Sequence, residues 1–249
     1  MLGKEIHSPI YSVYGFVRLA DEIVDSFHDF DKAKMLKEFR EQTYQAIEEK
    51  ISLNPILNSF QEVVNHYKIE KELIDTFLDS MEMDLHQNFH DMASYEKYIL
   101  GSAEVVGLMC LRVFTNGNEE QYQYLKPSAM RLGAAFQKVN FLRDIQADFD
   151  GMGRTYFPGV NFENFNHNQK IEIEKDIRAD FDTALIGIKQ LPKSSRLGVY
   201  AAYRYYTALF QKITMLTPQR IMNERIRISN PRKLWLTCRC FLKLRLNLL

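Results

Sequence analysis

The sequence predicts an all-α protein. Apolar residues recur at steps of three and four along nearly all of the 249 residues. Only 11 glycines and 7 prolines punctuate the chain. Pro55, Pro127, Pro158, Pro192, Pro218 and Pro231 fall between the periodic runs, where proline opens or separates helices. No segment alternates apolar and polar residues with period two between turn signals, so no sheet is predicted.

The elements follow in chain order. Over 13–27, Val13, Phe16, Val17, Ala20, Val24 and Phe27 form one apolar stripe. Over 73–85 the stripe is Leu73, Ile74, Phe77, Leu78, Met81 and Leu85. Segments 94–114, 128–149, 170–190 and 196–216 repeat the pattern. Between them, 150–168 is rich in Gly, Asn and Pro and reads as irregular. No linker and no repeat of solenoid length divides the chain, so residues 1–249 read as a single domain of roughly eight to ten helices.

Composition excludes several classes. Apolar residues at 46% and charged residues at 26% fit a globular core rather than disorder. Lys+Arg and Asp+Glu both number 32, so no nucleic-acid partner is expected. Three cysteines suit a reducing cytoplasm, and Cys238-Arg-Cys240 lacks the spacing of a zinc site. The first residues show no cleavable signal, and no apolar run reaches the ~18 residues of a spanning helix. From Arg225 onward the chain carries seven basic residues and no acid, interleaved with leucines, Trp235 and Phe241. That segment reads either as a terminal helix packed on the domain or as a peripheral contact with the anionic inner face of a membrane.

Aspartates one helical turn apart occur at Asp21/Asp25, Asp25/Asp29, Asp75/Asp79, Asp144/Asp148 and Asp176/Asp180. Asp176/Asp180 lies in a segment charged nearly all round, and Asp75/Asp79 lies opposite an apolar stripe, so both are expected on solvent faces. The others differ. Tyr14, Arg18, Asp21 and Asp25 share one face of the first helix, and Gln137, Asn140, Asp144 and Asp148 share one face of an otherwise apolar helix. Such a stripe needs solvent or a polar cavity. Matching stripes, with Arg18 and Arg143 among the acids, suggest that the two helices face each other. Four carboxylates make a hard oxygen set for Mg²⁺, and the arginines suit a diphosphate beside it. Di-iron Glu-x-x-His pairs, phosphate-binding glycine loops and the Gly-x-Ser-x-Gly elbow are absent. An enzyme acting on an apolar diphosphate fits this pattern.

The segments YSVYGFVRLADEIVD, YILGSAEVVGLM and RLGAAFQKVNFLRDIQADFDGMGRTYFP resemble the squalene/phytoene synthase family, over most of the chain. The resemblance implies an all-α isoprenoid synthase type I helical bundle with a central cavity. It implies a transferase joining two prenyl diphosphates head to head in isoprenoid and carotenoid biosynthesis. Two geranylgeranyl diphosphates would give phytoene through a cyclopropylcarbinyl diphosphate, without NADPH. Squalene or dehydrosqualene from farnesyl diphosphate is the alternative, as is a non-catalytic protein on the same fold. By resemblance, Asp21, Asp25, Asp144 and Asp148 hold Mg²⁺, with Mn²⁺ as the substitute ion. Tyr14, Arg18, Gln137, Asn140 and Arg143 contact the substrate diphosphate or the metal beside it. Tyr98 matches a tyrosine of the reaction cavity, while Tyr205 and Arg225 match a late tyrosine and a phosphate-binding arginine. For Tyr98 and Tyr205, plain core packing is the competing expectation. Family members also carry a further segment ahead of the first aspartates, and the early position of Asp21 implies a chain lacking it.

Overall fold

The computed structural model describes the backbone of residues 1–86, 91–152, 156–160 and 165–245, and all their side chains except those of 146–152, 234, 237, 238 and 241–245. The described residues form eleven α-helices and one π-helical turn, with no strand. In order these are α1 (Lys4–Asp25), α2 (Lys32–Glu49), α3 (Pro55–Tyr67), α4 (Lys71–His86), α5 (Met92–Ile99), the π turn (Leu100–Glu104), α6 (Val105–Phe114), α7 (Glu119–Met152), α8 (His167–Gln190), α9 (Lys193–Thr214), α10 (Pro218–Asn223) and α11 (Asn230–Arg245). The count exceeds the expected eight to ten because the π turn splits 92–114 into two helices and because α10 is only six residues long.

Local chemistry sets the boundaries. The Asn54 side chain accepts from the backbone N–H of Ile56 and Leu57, and Pro55 occupies the first turn of α3. Asn166 and Gln169 form a reciprocal capping box at the start of α8. Lys50 and Lys68, with φ of 59° and 57°, close α2 and α3 in the left-handed conformation. One expectation fails: Pro127 lies inside α7, not between helices. Proline removes a single backbone donor there, and the helix continues because Leu125 on one side and Ala134 and Ala135 on the other are buried against neighbours. Consequently α7 is 34 residues long and runs to Met152, into the stretch expected to be irregular.

Two apolar cores share this frame. The first joins α1, α2, α3, α4 and α6, centred on Phe16, whose ring stacks on Phe60 at 3.9 Å and meets Phe39 and Phe77 at 5.3 and 5.5 Å. The second joins α5 and α7 to α11, with Phe141 stacked on Tyr156 at 4.0 Å. Leu236 and Cys240 pack α11 against this second core, while Trp235 is exposed, and residues 225–229 of the basic segment run ahead of the helix without regular structure.

The π turn lies where the cores meet. A Cβ at Gly101 would stand 2.5 Å from the Thr76 carbonyl oxygen of α4, and one at Gly133 would stand 2.6 Å from the Ala103 carbonyl oxygen. Glycine at both positions lets α4, the π turn and α7 approach backbone to backbone. Gly133→Val should therefore cost about 1–3 kcal/mol by overpacking, read as a lower urea midpoint at unchanged slope.

Candidate active site

On α1 the expected stripe forms. Arg18 Nη1 donates to Asp21 Oδ2 at 2.7 Å, and Nη2 donates to Glu22. Asp21 is half-buried, Asp25 exposed, and Tyr14 is 62% exposed on the same face. Burial raises the pKa of Asp21 above the ordinary carboxylate value, and the charge of Asp25 raises it further, against the opposing pull of Arg18. Two carboxylates in this relation gain from a divalent cation, which cancels their repulsion. Asp21 and Asp25 thus offer a pair of hard oxygen ligands, while no three acidic, histidine or cysteine side chains converge among the described residues.

On α7 the second stripe is richer than the sequence suggested. Arg143 Nε donates to both oxygens of Asp144 at 3.1 Å. Arg225, from the segment after α10, reaches the same carboxylate with Nε 2.8 Å from Oδ1. Asp144 is thus clasped by two guanidiniums. One turn earlier, Asn140 accepts from the Tyr206 hydroxyl at 3.2 Å. Burial raises the pKa of that phenol, keeping it a neutral donor. Tyr205 packs edge-on against Tyr206 at 5.5 Å, with the Lys233 ammonium over its ring at 5.6 Å. The structure therefore gathers Asn140, Arg143, Asp144, Tyr205 and Arg225 at one place. The side chain of Asp148 lies outside the described residues.

Gln137 continues the stripe into an apolar cavity of about 320 Å³ between the π turn, α6, α7, α8 and α9. Small residues form much of the wall, among them Ser102, Ala103, Gly107, Ala129, Gly133 and Gly187. Phe136 stands beside Gln137 in that wall and stacks on Tyr206 at 4.0 Å. An apolar chamber thus meets a hydrogen-bonded, arginine-rich rim along one face of α7. At ~1.5 Å of rise per residue, Asp144 follows Gln137 by ~10 Å along the axis.

Tyr98 is buried against Phe141 and Tyr156 rather than in the wall of this cavity, and its hydroxyl donates to Asp84 Oδ2 at 2.9 Å. Asp84 itself was not singled out from the sequence. It falls three residues after Met81 and seven after Phe77, on the apolar face of α4, and that misplaced charge was the available signal. Among the described residues the hydrogen bonds of Arg18 run to Asp21 and Glu22 of its own helix.

Among the remaining aspartate pairs, one member needs correction. Asp180 is not on a solvent face: it is 4% exposed and accepts from the equally buried Lys138 at 2.7 Å. Lys138 also bridges to the more exposed Asp176, so both acids pin α8 to α7. Asp75 and Asp79 are half-exposed and hold Arg40 of α2 at 3.2 and 2.7 Å.

The raised pKa of Asp21 has a sign that stability can report. Where folding raises the pKa of a carboxyl, the folded chain favours the protonated form and loses stability as pH climbs through that pKa. Asp21→Asn, permanently neutral, should melt at a higher temperature than the parent at pH 8. The gain should vanish below about pH 4, where both states of the parent are protonated. Calorimetric scans at the two pH values check this.

Comparison with known proteins completes the picture. Residues 1–232 match the Squalene/phytoene synthase family. Over 186 residues the chain is 27% identical to 4,4'-diapophytoene synthase of Staphylococcus haemolyticus (strain JCSC1435), covering 72% of this chain and 62% of that protein. Over 161 residues it is 30% identical to presqualene diphosphate synthase of Sinorhizobium fredii (strain NBRC 101917 / NGR234), covering 62% and 54%. The chain thus spans between half and two-thirds of the length of these relatives. The crystal structure of a dehydrosqualene synthase in complex with ligand superposes with a TM-score of 0.79 at 20% identity, covering 98% of this chain and 89% of that one. The architecture is accordingly the helical isoprenoid synthase fold. On the match spanning residues 1–232, the chain belongs to the squalene/phytoene synthase family.

Proposed function

We propose that this protein is a prenyltransferase that joins two prenyl diphosphates head to head. The observation that carries the reading is one face of α7 on which an apolar cavity walled by Gln137 is followed, ~10 Å along the axis, by Asp144 held by Arg143 and Arg225. A prenyl diphosphate has the same division, with an apolar chain attached to a dense anionic group.

In this reading Arg18, Arg143 and Arg225 take up the negative charge that develops as diphosphate leaves the allylic carbon. Asp21, Asp25, Asp144 and Asp148 would hold Mg²⁺, or Mn²⁺ in its place. Once bound, the ion supplies Lewis-acid neutralisation of the leaving group. The small-residue wall keeps water from the carbocation, and the stacked Phe136 and Tyr206 rings offer it π faces. Gln137 and Asn140 orient the polar ends so that the double bond of the second substrate attacks the cation, and loss of one proton from the resulting tertiary cation closes the ring of a cyclopropylcarbinyl diphosphate. Ionisation of that intermediate, rearrangement and proton loss would release phytoene from two geranylgeranyl diphosphates, with no call on NADPH. The names of the relatives above keep the farnesyl branch as the second reading, with squalene or dehydrosqualene as its product. Peripheral contact with an anionic membrane through the segment from Arg225 onward would suit release of so apolar a product.

Product analysis tests the proposal. The chain is incubated with Mg²⁺ and either geranylgeranyl or farnesyl diphosphate, each with and without NADPH, and extracts are read by chromatography and mass spectrometry. A C40 hydrocarbon formed without NADPH is expected. A C30 product moves the assignment to the farnesyl branch, and absence of any condensation product overturns the enzymatic reading for this chain. Asp21→Ala and Asp144→Ala should each lower turnover by about 10³, or about 4 kcal/mol of barrier. Asp79→Ala, whose carboxylate serves only the Arg40 bridge among the described residues, should change turnover little.

A further inference from the structure

Another face of α7 looks into a different cavity. Met130, Ala134 and Lys138, spaced by four, line a space of about 920 Å³ closed on other sides by α5, the π turn, α8 and residues 157–160. Glu104 lies in its wall. This residue is 7% exposed, yet its carboxylate makes no hydrogen bond or ion pair among the described residues. Buried carboxylates ordinarily have a partner, because losing water without one is costly. That cost shows as a raised pKa, with burial the main cause.

The cations nearby are already engaged. Lys138 Nζ sits 2.5 Å from Asp176 and 2.7 Å from Asp180, and Arg131 reaches Asp180 at 3.4 Å. Two basic groups are thus balanced by two acids before Glu104 is counted, and Glu104 leaves the cavity with an excess of negative charge. An anion is repelled there. A metal ion lacks ligands as well, since no three acidic, histidine or cysteine side chains converge among the described residues. One part of the wall favours an apolar or aromatic body, where Tyr95 and Phe157, their centroids 5.9 Å apart, stand with Ile99 and Val160, while Glu96 and Glu172 elsewhere in it add to the negative charge. We infer that this cavity is a binding site for an organic cation with an apolar or aromatic body, its ammonium group seated on the Glu104 carboxylate. The carboxylate supplies a charge-assisted hydrogen bond, and the aromatic faces supply cation–π and apolar contact.

Calorimetric titration of the full chain with benzylammonium tests this, with benzyl alcohol and benzoate as neutral and anionic twins. Saturable one-to-one binding of benzylammonium is expected, weaker by about tenfold or more for benzyl alcohol and undetectable for benzoate. Glu104→Gln, which keeps the shape and removes the charge, should weaken benzylammonium by a similar factor. Val160→Trp, which fills the cavity from its loop side, should abolish binding in a chain whose buried acids are untouched. Asp144→Asn should leave binding unchanged. The proposal is overturned if the parent does not bind benzylammonium or binds the alcohol equally well. Full affinity in Glu104→Gln also overturns it, as does loss of binding in Asp144→Asn, which would seat the amine at the arginine-rich rim.

Discussion

The architecture depends on close backbone approach around the π turn. Gly101 admits the α4 carbonyl of Thr76, Gly133 admits the carbonyl of Ala103, and Gly187 of α8 faces Ser128 of α7 with no room for a Cβ. Helices normally keep their axes ~8–10 Å apart because side chains interdigitate between them. Here small residues remove that spacer where the backbones cross. The same residues leave the 320 Å³ cavity beside the crossing, because Ser102, Ala103, Gly133 and Gly187 contribute little volume to fill it. Tight contact and empty space therefore have one cause. The π turn serves both ends of this arrangement: Ser102 and Ala103 face the apolar cavity, while Leu100 and Glu104 face the larger one.

Electrostatics divides α7 lengthwise. Along one face Gln137, Asn140 and Asp144 descend from an apolar chamber to an arginine-rich rim. Along another, Lys138 is spent on Asp176 and Asp180. A buried pair of this kind contributes little net energy, yet removing one partner strands the other charge at a cost of about 3–5 kcal/mol. Lys138 and Asp180 thus fix how α8 lies on α7, and the rotation of α7 that this sets decides which residues face the chamber.

Much of this was legible in the sequence because helical spacing projects directly onto faces. The Asp21 and Asp144 stripes, the length of α9 and the all-α class follow from steps of three, four and seven residues. Asp180 was misjudged for a physical reason: its own helix is charged on most sides, and only tertiary contact with Lys138 distinguishes a buried acid from a solvated one. Asp84 was missed because its apolar neighbours hid it, although a carboxylate on a core face is informative once noticed. Pro127 misled because proline costs a helix one hydrogen bond, and burial on both sides outweighs that locally. The π turn has no spacing signature of its own, and Tyr206 became significant only when Asn140 was seen to accept from it.

Arg225 shows how the far end of the chain completes a site built on α7. It stands 81 residues beyond Asp144, yet its guanidinium lies on the same carboxylate as Arg143. Among the described side chains, two guanidiniums on one carboxylate leave an excess of positive charge that attracts a multivalent anion. Each arginine has donors beyond those given to Asp144, because a guanidinium carries five N–H groups in a planar fork. The carboxylate holds both forks in place, which in the proposed function would lower the entropy lost when they close on a phosphate group. In the proposed reaction Asp144 would do two jobs in succession, first as the counterion that orders Arg143 and Arg225, then as an oxygen ligand for the divalent cation.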